Sequence, residues 1–220
     1  MIKAIVFDLD GTLLDTLEDL TNSVNYSLQQ YNKKCRTKEE VRKFLGHGLK
    51  KLITDCLPKD SSESLILKCY QTMLDYYKEH SLIKTAPYNG IIDLLKKLKD
   101  LGYILAICTN KDEKNAKIIN KKFFSNLFSL VVGDDHFTPL KPNSDLINKI
   151  LSKLKLKSNE IIYIGDSEVD ILTSISSNVN YINVTYGFRT KDELASFTNI
   201  SFAETPNDIY SLIKEINFKK

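Results

Sequence analysis

The chain has 220 residues, of which 42% are hydrophobic and 27% are charged, with a formal net charge of +3. This composition excludes a disordered chain, and the length favours one core domain with a small insertion. The lysines are spread along the chain rather than gathered in a basic block, and Trp is absent, which argues against a nucleic-acid polymer as the partner.

The N-terminus and the cysteines indicate a cytoplasmic protein that does not contact a membrane. The first apolar run stops at Phe7, against Asp8, and is too short for a signal peptide or a membrane span. The four cysteines form no C-x-x-C pair and no zinc-binding spacing, and a chain of this length needs no disulfide framework. We therefore expect reduced thiols.

Five short runs rich in Ile, Val, Leu and Tyr, each bounded by polar residues or glycine, are typical of buried strands. They are residues 2–7, 103–108, 130–133, 161–164 and 181–184. Residues 90–100 and 145–154 lie between these runs and carry apolar side chains at helical spacing. Strands that alternate with helices predict an α/β fold with a parallel sheet.

About eighty residues between the first strand and Pro87 carry helix signals and no convincing strand, whereas a crossover between parallel strands needs only about a dozen residues or more. The excess predicts an inserted helical subdomain. Its predicted helices are residues 17–31, 39–45, 49–57 and 64–78. We assign residues 15–84 to this small cap, and residues 1–14 and 85–220 to the catalytic core.

Two aspartates follow the first predicted strand directly, in the segment Asp8-Leu9-Asp10-Gly11-Thr12. Two carboxylates one residue apart at a strand end repel each other unless a cation or a changed protonation state relieves the repulsion. A polar turn explains one aspartate and the glycine, but it does not explain the pair. The pattern therefore indicates metal binding and catalysis at this strand end.

Three further polar clusters follow predicted strands. Thr109 and Asn110 offer donors for phosphate oxygens at the start of the next helix, although both are also ordinary helix caps. Lys141 lies in a turn-rich loop, where it could neutralise a phosphate or a carboxylate. Asp166 and Asp170 are again paired acids that a cation would relieve. Together, the four clusters predict a magnesium–phosphate site.

With these four motifs, the sequence resembles the haloacid dehalogenase superfamily in its phosphatase branch, over nearly the whole chain. The resemblance implies a Rossmann-like parallel core flanked by helices, with a helical cap inserted after the first motif. It implies that Asp8 is the nucleophile and that Asp10 is the general acid and base. It also implies Mg²⁺ held by Asp8, the backbone carbonyl of Asp10 and Asp166, with Asp170 in the outer shell.

A weaker resemblance points to phosphoglycolate phosphatases and their close relatives. It lies in Phe44-Leu45-Gly46-His47-Gly48, Pro87-Tyr88-Asn89-Gly90 and Tyr186-Gly187-Phe188-Arg189. It implies a small phosphorylated metabolite, such as phosphoglycolate, as the substrate. His47 and Lys50 could recognise a small anionic group in the cap. The sequence is equally consistent with a turn between two helices in which the glycines serve backbone geometry alone and the lysines are solvated.

Other functions share part of this pattern. A phosphomutase related to β-phosphoglucomutase uses the same aspartate, and a pyrophosphatase or nucleotidase of the superfamily shares the core motifs. A dehalogenase is disfavoured because Asp10 and Asp166 would lack a purpose in it. A non-catalytic protein that binds a phosphorylated ligand would be expected to have lost a charged group, and here all are present.

Overall fold

A computed structural model describes residues 1–125, 127–197 and 200–218 of the chain. The chain forms two compact units: residues 1–14 together with the chain from residue 87 onwards, and residues 15–86. Within the described residues, no helix combines the length and the apolar character that crossing a membrane requires.

The first unit is built on a six-stranded sheet. In chain order, the strands of the protein are β1 (Ala4–Phe7), β2 (Leu14–Asp15), β3 (Ala86–Pro87), β4 (Ile104–Asp112), β5 (Leu130–Asp134), β6 (Ile161–Gly165), β7 (Asn180–Val184) and β8 (Ser201–Ala203). The sheet order is β5-β4-β1-β6-β7-β8, and every neighbouring pair is parallel. The short strands β2 and β3 pair with each other. The parallel α/β sheet predicted from the sequence is confirmed.

Nine helices occur in the described residues. They are α1 (Leu17–Gln30), α2 (Lys38–Phe44), α3 (Leu49–Cys56), α4 (Glu63–His80), α5 (Ile91–Asp100), α6 (Glu113–Phe124), α7 (Asp145–Leu154), α8 (Glu168–Ser177) and α9 (Pro206–Phe218). A short 3₁₀ turn at Ser158–Glu160 precedes β6. In the first unit, helices connect the successive sheet strands from β1 to β7, as parallel pairing usually requires.

The core of the first unit lies against both faces of the sheet. All four residues of β1 and all five of β6 are buried, which explains why these strands are continuous apolar runs without alternation. Leu146, Ile147 and Ile150 form the apolar face of α7 and pack in one cluster with residues of β1, β4, β5 and β6. This packing fixes the carboxyl ends of the central strands relative to one another.

The second unit consists of four helices, as the sequence predicts for this segment. Thr37 and Glu40 form a capping box at the start of α2, with the Glu40 carboxylate accepting from the Thr37 N–H at 2.8 Å. The buried Asp19 in α1 accepts hydrogen bonds from the backbone N–H groups of Lys84 and Thr85. Apolar side chains of α1 and α4, including Val24, Leu28, Cys69 and Met73, are buried.

Candidate active site

Three carboxylates meet where the central strands of the sheet end. Asp8 follows β1, Asp166 follows β6, and Asp170 lies in the first turn of α8. Each offers an oxygen atom within 4.8 Å of the others, and all three residues are buried. Because β1 and β6 are parallel neighbours, their carboxyl ends share one edge of the sheet. The sequence predicted this proximity for Asp8 and Asp166.

The ammonium group of Lys141 joins this carboxylate cluster. Its Nζ donates to Asp8 Oδ1 at 2.8 Å, to Asp170 Oδ1 at 2.7 Å and to the hydroxyl of Tyr163 at 2.9 Å. The Tyr163 hydroxyl in turn donates to Asp170 Oδ1 at 2.5 Å. Three partners at these distances fully occupy an ammonium group, so Lys141 is held in one position.

The charges in the cluster do not balance. Burial raises the pKa of Asp8 to about 7, even though Lys141 opposes the change. Burial also raises the pKa of Asp166, with the charges of Asp170 and Asp8 adding to the effect. For Asp170, burial is outweighed by Lys141 and by hydrogen bonds from the hydroxyls of Tyr163 and Ser167, which together lower its pKa. Lys141 and Asp170 therefore form the ion pair, and Asp8 and Asp166 carry the uncompensated charge.

The side chain of Asp166 packs closely against two glycines. A Cβ on Gly11, which has φ of +89°, or on Gly187 would overlap the Asp166 side chain. One Asp166 oxygen accepts from the hydroxyl of Thr12 at 3.2 Å, and the other accepts from the backbone N–H of Phe188 at 2.6 Å. The Tyr186-Gly187-Phe188 segment thus has a structural function at the carboxylate cluster.

Asp170 is anchored by the start of its own helix. The Ser167 hydroxyl donates to Asp170 Oδ2 at 2.7 Å, and the backbone N–H groups of Ser167 and Asp166 lie 3.2 Å and 3.3 Å from the same oxygen. Both oxygens of Asp170 therefore accept several hydrogen bonds from this chain. The geometry suits a group that fixes its neighbours more than a direct metal ligand.

Thr109 and Asn110 lie inside a strand, whereas the sequence placed them at the start of a helix. β4 continues to Asp112, and α6 begins only at Glu113. Asn110 uses its side chain to bind the backbone of Lys141: its Nδ2 donates to the Lys141 carbonyl at 3.0 Å, and its Oδ1 accepts from the Lys141 N–H at 2.8 Å. The Asn110 side chain, which we predict to contact phosphate, thus also holds the loop that carries Lys141.

Comparison with known proteins places the chain in a family. The sequence pattern of the family described as haloacid dehalogenase-like hydrolase matches residues 5–184. The chain belongs to this family. The match includes the segments that contain Asp8, Thr109, Lys141 and Asp166, and it extends across the whole of the second unit.

Relatives of this haloacid dehalogenase-like hydrolase cover most of its length. A phosphoglycolate phosphatase of Colwellia psychrerythraea is 28% identical over 219 residues, with 96% of this chain and 97% of the relative covered. One of Mesorhizobium japonicum is 31% identical over 191 residues, with 84% and 83% covered. A haloacid dehalogenase-like family hydrolase of Streptococcus pneumoniae has a TM-score of 0.87 at 28% identity, with 96% and 98% covered. A predicted phosphatase of Clostridium acetobutylicum has a TM-score of 0.88 at 30% identity, and the match covers 98% of this chain and 99% of the other. The chain is an enzyme of the phosphatase branch.

The sequence interpretation missed several groups that support the site of this hydrolase. Tyr163 reads as one more apolar strand residue, yet its hydroxyl contacts Lys141. Arg189 binds both oxygens of Glu168, at 2.8 Å and 2.9 Å, across 21 positions of sequence. Lys111 contacts Asp10, with Nζ 2.9 Å and 3.0 Å from its two oxygens. Only the Tyr186 to Arg189 motif gave a signal in the sequence.

The carboxylate cluster fits a divalent cation. Asp8, Asp166 and Asp170 bring three carboxylates together, and Lys141 brings one ammonium group. When all four groups are ionised, two negative charges are uncompensated. Buried oxygens with uncompensated charge are the ligands that a hard cation such as Mg²⁺ prefers, and Asp8 and Asp166 are the two carboxylates available to it.

The two residues predicted to set substrate specificity lie in the second unit. His47 is exposed, between Gly46 and Gly48, whose φ angles are +116° and +84°. Lys50 is exposed in the first turn of α3. Positive φ angles explain both glycines by backbone geometry, so the turn is structurally required whatever else it does.

Proposed function

We propose that this chain is a cytoplasmic, magnesium-dependent phosphatase that hydrolyses a small phosphate monoester through a phospho-enzyme formed on Asp8. The observation that carries the proposal is the carboxylate of Asp8. It is buried at the carboxyl end of β1, is fixed by Lys141 at 2.8 Å and lies in one cluster with Asp166. A fixed, buried carboxylate beside a predicted cation site has the features of a nucleophile for phosphoryl transfer.

The reaction proceeds in two steps, transfer of the phosphoryl group to Asp8 and hydrolysis of the phospho-enzyme. An oxygen of Asp8 attacks phosphorus, the bond from phosphorus to the ester oxygen breaks, and Asp10 donates a proton to the leaving oxygen. Asp10 then accepts a proton from water, the water oxygen attacks phosphorus, and the bond to Asp8 breaks. Inorganic phosphate leaves, and the carboxylate of Asp8 and the proton on Asp10 are both restored.

Thr109 and Lys141 bind the phosphoryl oxygens during these steps, and Lys141 does so with the N–H that otherwise contacts Asp8. Lys141 supplies positive charge beside Asp8, and Asp170 keeps it in place. Asn110 contributes through its two hydrogen bonds to the Lys141 backbone. Because these groups are fixed before the substrate arrives, the site needs little reorganisation to stabilise the transferring phosphoryl group.

Asp8, Asp166 and the backbone carbonyl of Asp10 would hold Mg²⁺, with Asp170 in its outer shell. When bound, Mg²⁺ supplies positive charge that offsets the charge of the carboxylates and the phosphoryl oxygens. The raised pKa values of Asp8 and Asp166 support this assignment, since a cation would relieve the repulsion that contributes to them.

The relatives support phosphoglycolate or a similar small anion as the substrate. Those from Colwellia psychrerythraea and Mesorhizobium japonicum are phosphoglycolate phosphatases. We assign the first unit to catalysis and residues 15–86 to a cap that recognises the rest of the substrate. His47 and Lys50 are the residues of this unit that we assign to the substrate's anionic group.

A substrate panel with a nucleophile variant tests the chemistry. Phosphoglycolate, sugar phosphates, nucleoside monophosphates and pyrophosphate are assayed for released phosphate, with Mg²⁺ and with EDTA. We expect phosphoglycolate hydrolysis that needs Mg²⁺ and is lost in Asp8→Asn. Isomerised sugar phosphate would identify a mutase, and phosphate from pyrophosphate or nucleotides alone would change the substrate class. Binding without turnover, or an active Asp8→Asn variant, would refute the mechanism.

A second experiment tests the cap assignment. His47→Ala and Lys50→Ala should lower kcat/KM for phosphoglycolate by about tenfold, yet leave p-nitrophenyl phosphate nearly unaffected, because its leaving group needs no anion recognition. Lys51→Ala is the matched control, since Lys51 is on the same helix and pairs with Asp55. Equal losses on both substrates, or none on either, would leave the turn with a structural role only.

A further inference from the structure

Asp10 has an ammonium group beside it that the proposed steps do not use. The Nζ of Lys111 lies 3.0 Å from Oδ1 and 2.9 Å from Oδ2 of Asp10. The Lys111 side chain is only 3% exposed, and that of Asp10 is 21% exposed. Because the ammonium group contacts both carboxylate oxygens, rotation of the Asp10 side chain would lengthen at least one short contact.

We propose that Lys111 is a positioning residue, which holds the Asp10 carboxylate in the orientation needed for both proton transfers. The inference rests on the proposed role of Asp10 as the general acid and base. That role requires one side chain to reach the leaving oxygen in the first step and the attacking water in the second. A side chain that serves two steps from one place benefits from being fixed there.

A bulge in the sheet brings Lys111 to Asp10. The β4–β5 pairing places Cys108 opposite Val132 and resumes at Asp112 opposite Asp134. Three residues of β4, Thr109 to Lys111, therefore lie opposite the single residue Gly133. Extra residues of this kind change the direction of a side chain relative to regular alternation along the strand.

The partner strand and the bulge itself fix the Lys111 backbone. A Cβ on Gly133 would lie 2.6 Å from the carbonyl oxygen of Lys111, so this close approach requires glycine. On the other side, the Lys111 N–H donates to Thr109 Oγ1 at 3.2 Å. Thr109, which holds Lys111 in the bulge, is itself predicted to bind phosphate. The bulge therefore links the predicted phosphate-binding residue to the residue beside Asp10.

Burial separates Lys111 from the surface lysines of the chain. An ammonium group removed from water is costly unless a carboxylate compensates it, and here the compensating carboxylate is the proposed general acid. A solvated lysine would serve solubility equally well at any exposed position. The burial of Lys111 is therefore explained by its effect on the orientation of the Asp10 carboxylate.

A double-mutant cycle in the full-length protein tests this role. Asp10→Asn, Lys111→Met and the double variant are assayed with Mg²⁺ on p-nitrophenyl phosphate and phenyl phosphate. We expect Lys111→Met to lower kcat by roughly 10- to 100-fold, below the full effect of general acid–base catalysis, and to change KM by less than about threefold. In the Asp10→Asn background, the same change should lower kcat by less than about twofold. Lys111→Arg should restore much of the loss, because its fork also has two donors for a carboxylate.

Two results would overturn the inference. One is a raised KM with unchanged kcat in Lys111→Met, which would make Lys111 a substrate contact. The other is losses that multiply in the double variant, which would make Lys111 independent of Asp10. A fully active Asp10→Asn variant would instead refute the proposed role of Asp10. Lys149→Met is the matched control, since Lys149 pairs with Asp135, and it should keep kcat within about twofold.

Folding is checked separately by circular dichroism and thermal unfolding. If Lys111→Met does not fold, Lys111→Gln takes its place in the same cycle, because its amide keeps a donor without the charge. The same comparison of kcat in the two backgrounds then decides between a positioning role and an independent one.

Discussion

Without a bound cation, the buried carboxylate of Asp8 should destabilise the protein as the pH rises. Burial raises the pKa of Asp8 from its ordinary value near 3.8 to about 7, although Lys141 opposes the change. Between these values, the carboxyl is protonated in the folded protein and ionised in the unfolded chain. Unfolding then releases a proton, so a higher pH favours the unfolded state.

The size of the effect follows from these two pKa values. They differ by about three, and each unit is worth about 1.4 kcal/mol, which gives a full penalty of about 4 kcal/mol. The penalty is absent well below pH 3.8, grows between pH 3.8 and pH 7 and is constant well above pH 7. Asp8→Asn has no proton to release, so its stability relative to the wild type should rise along the same curve. Lys141 keeps its ion pair with Asp170 in the variant.

Urea unfolding in EDTA at pH 5, 6, 7 and 8 measures this difference. The free energy of unfolding of Asp8→Asn minus that of the wild type should increase by about 2 kcal/mol from pH 5 to pH 7, and by less than about 0.5 kcal/mol from pH 7 to pH 8. Asp100→Asn, at the exposed end of α5, is the control and should change stability by less than about 0.5 kcal/mol. Parallel pH profiles for Asp8→Asn and the wild type would refute the reasoning.

Two further substitutions probe the supports of the site. Gly187→Ala should displace Asp166, because a Cβ at this position would overlap its side chain. We expect a stability loss of about 1–3 kcal/mol and a marked fall in kcat. An unchanged kcat would contradict the close packing of Gly187 against Asp166. Tyr163→Phe removes one partner of Lys141 and should cost about 1–3 kcal/mol in urea unfolding and lower kcat about tenfold. Tyr181→Phe is its control, since the Tyr181 hydroxyl bonds Asn183, and equal losses in kcat would contradict the role of Tyr163.

The sequence predicted the sheet and the places where its strands end. Buried parallel strands must be continuous apolar runs, and they end at the first residue that cannot be buried without a partner. Asp8 after Phe7 and Asp166 after Gly165 mark such ends. The direction of the chain in a parallel sheet then brings both to the same edge, which is why the proximity of Asp8 and Asp166 could be predicted without coordinates.

Contacts that depend on local irregularity could not be predicted in this way. Lys111 follows Thr109 and Asn110 directly, but its direction depends on a bulge that Gly133 on another strand permits. Lys141 likewise acquires its position from the side chain of Asn110. Neither pairing leaves a periodic signal, because each joins residues 20 or more positions apart through one or two local contacts.

The C-terminal part of the first unit is a different case, because its sequence does carry a helix signal. The predicted strands end at Val184, whereas the structure adds β8 and α9. In α9, Pro206 occupies the first turn, and Ile209 and Ile213 are buried at helical spacing. A proline at a helix start followed by this spacing predicts a helix. β8 has only three residues, too few for alternation or an apolar run to be distinctive.

The site combines two kinds of charged group that differ in how they are compensated. Asp170 and Asp10 each have an ammonium partner within this chain, Lys141 and Lys111, at 2.7–3.0 Å. Burial keeps the pKa of Asp8 raised despite Lys141, and Asp166 is likewise left short of positive charge. Compensated carboxylates hold their neighbours in place whether or not a ligand is bound, whereas uncompensated ones gain most when a cation arrives. Burial of Asp8 and Asp166, the two carboxylates proposed to bind the metal, therefore lowers the stability of the protein. Lys141 and Lys111 instead hold the neighbouring carboxylates of Asp170 and Asp10 in position.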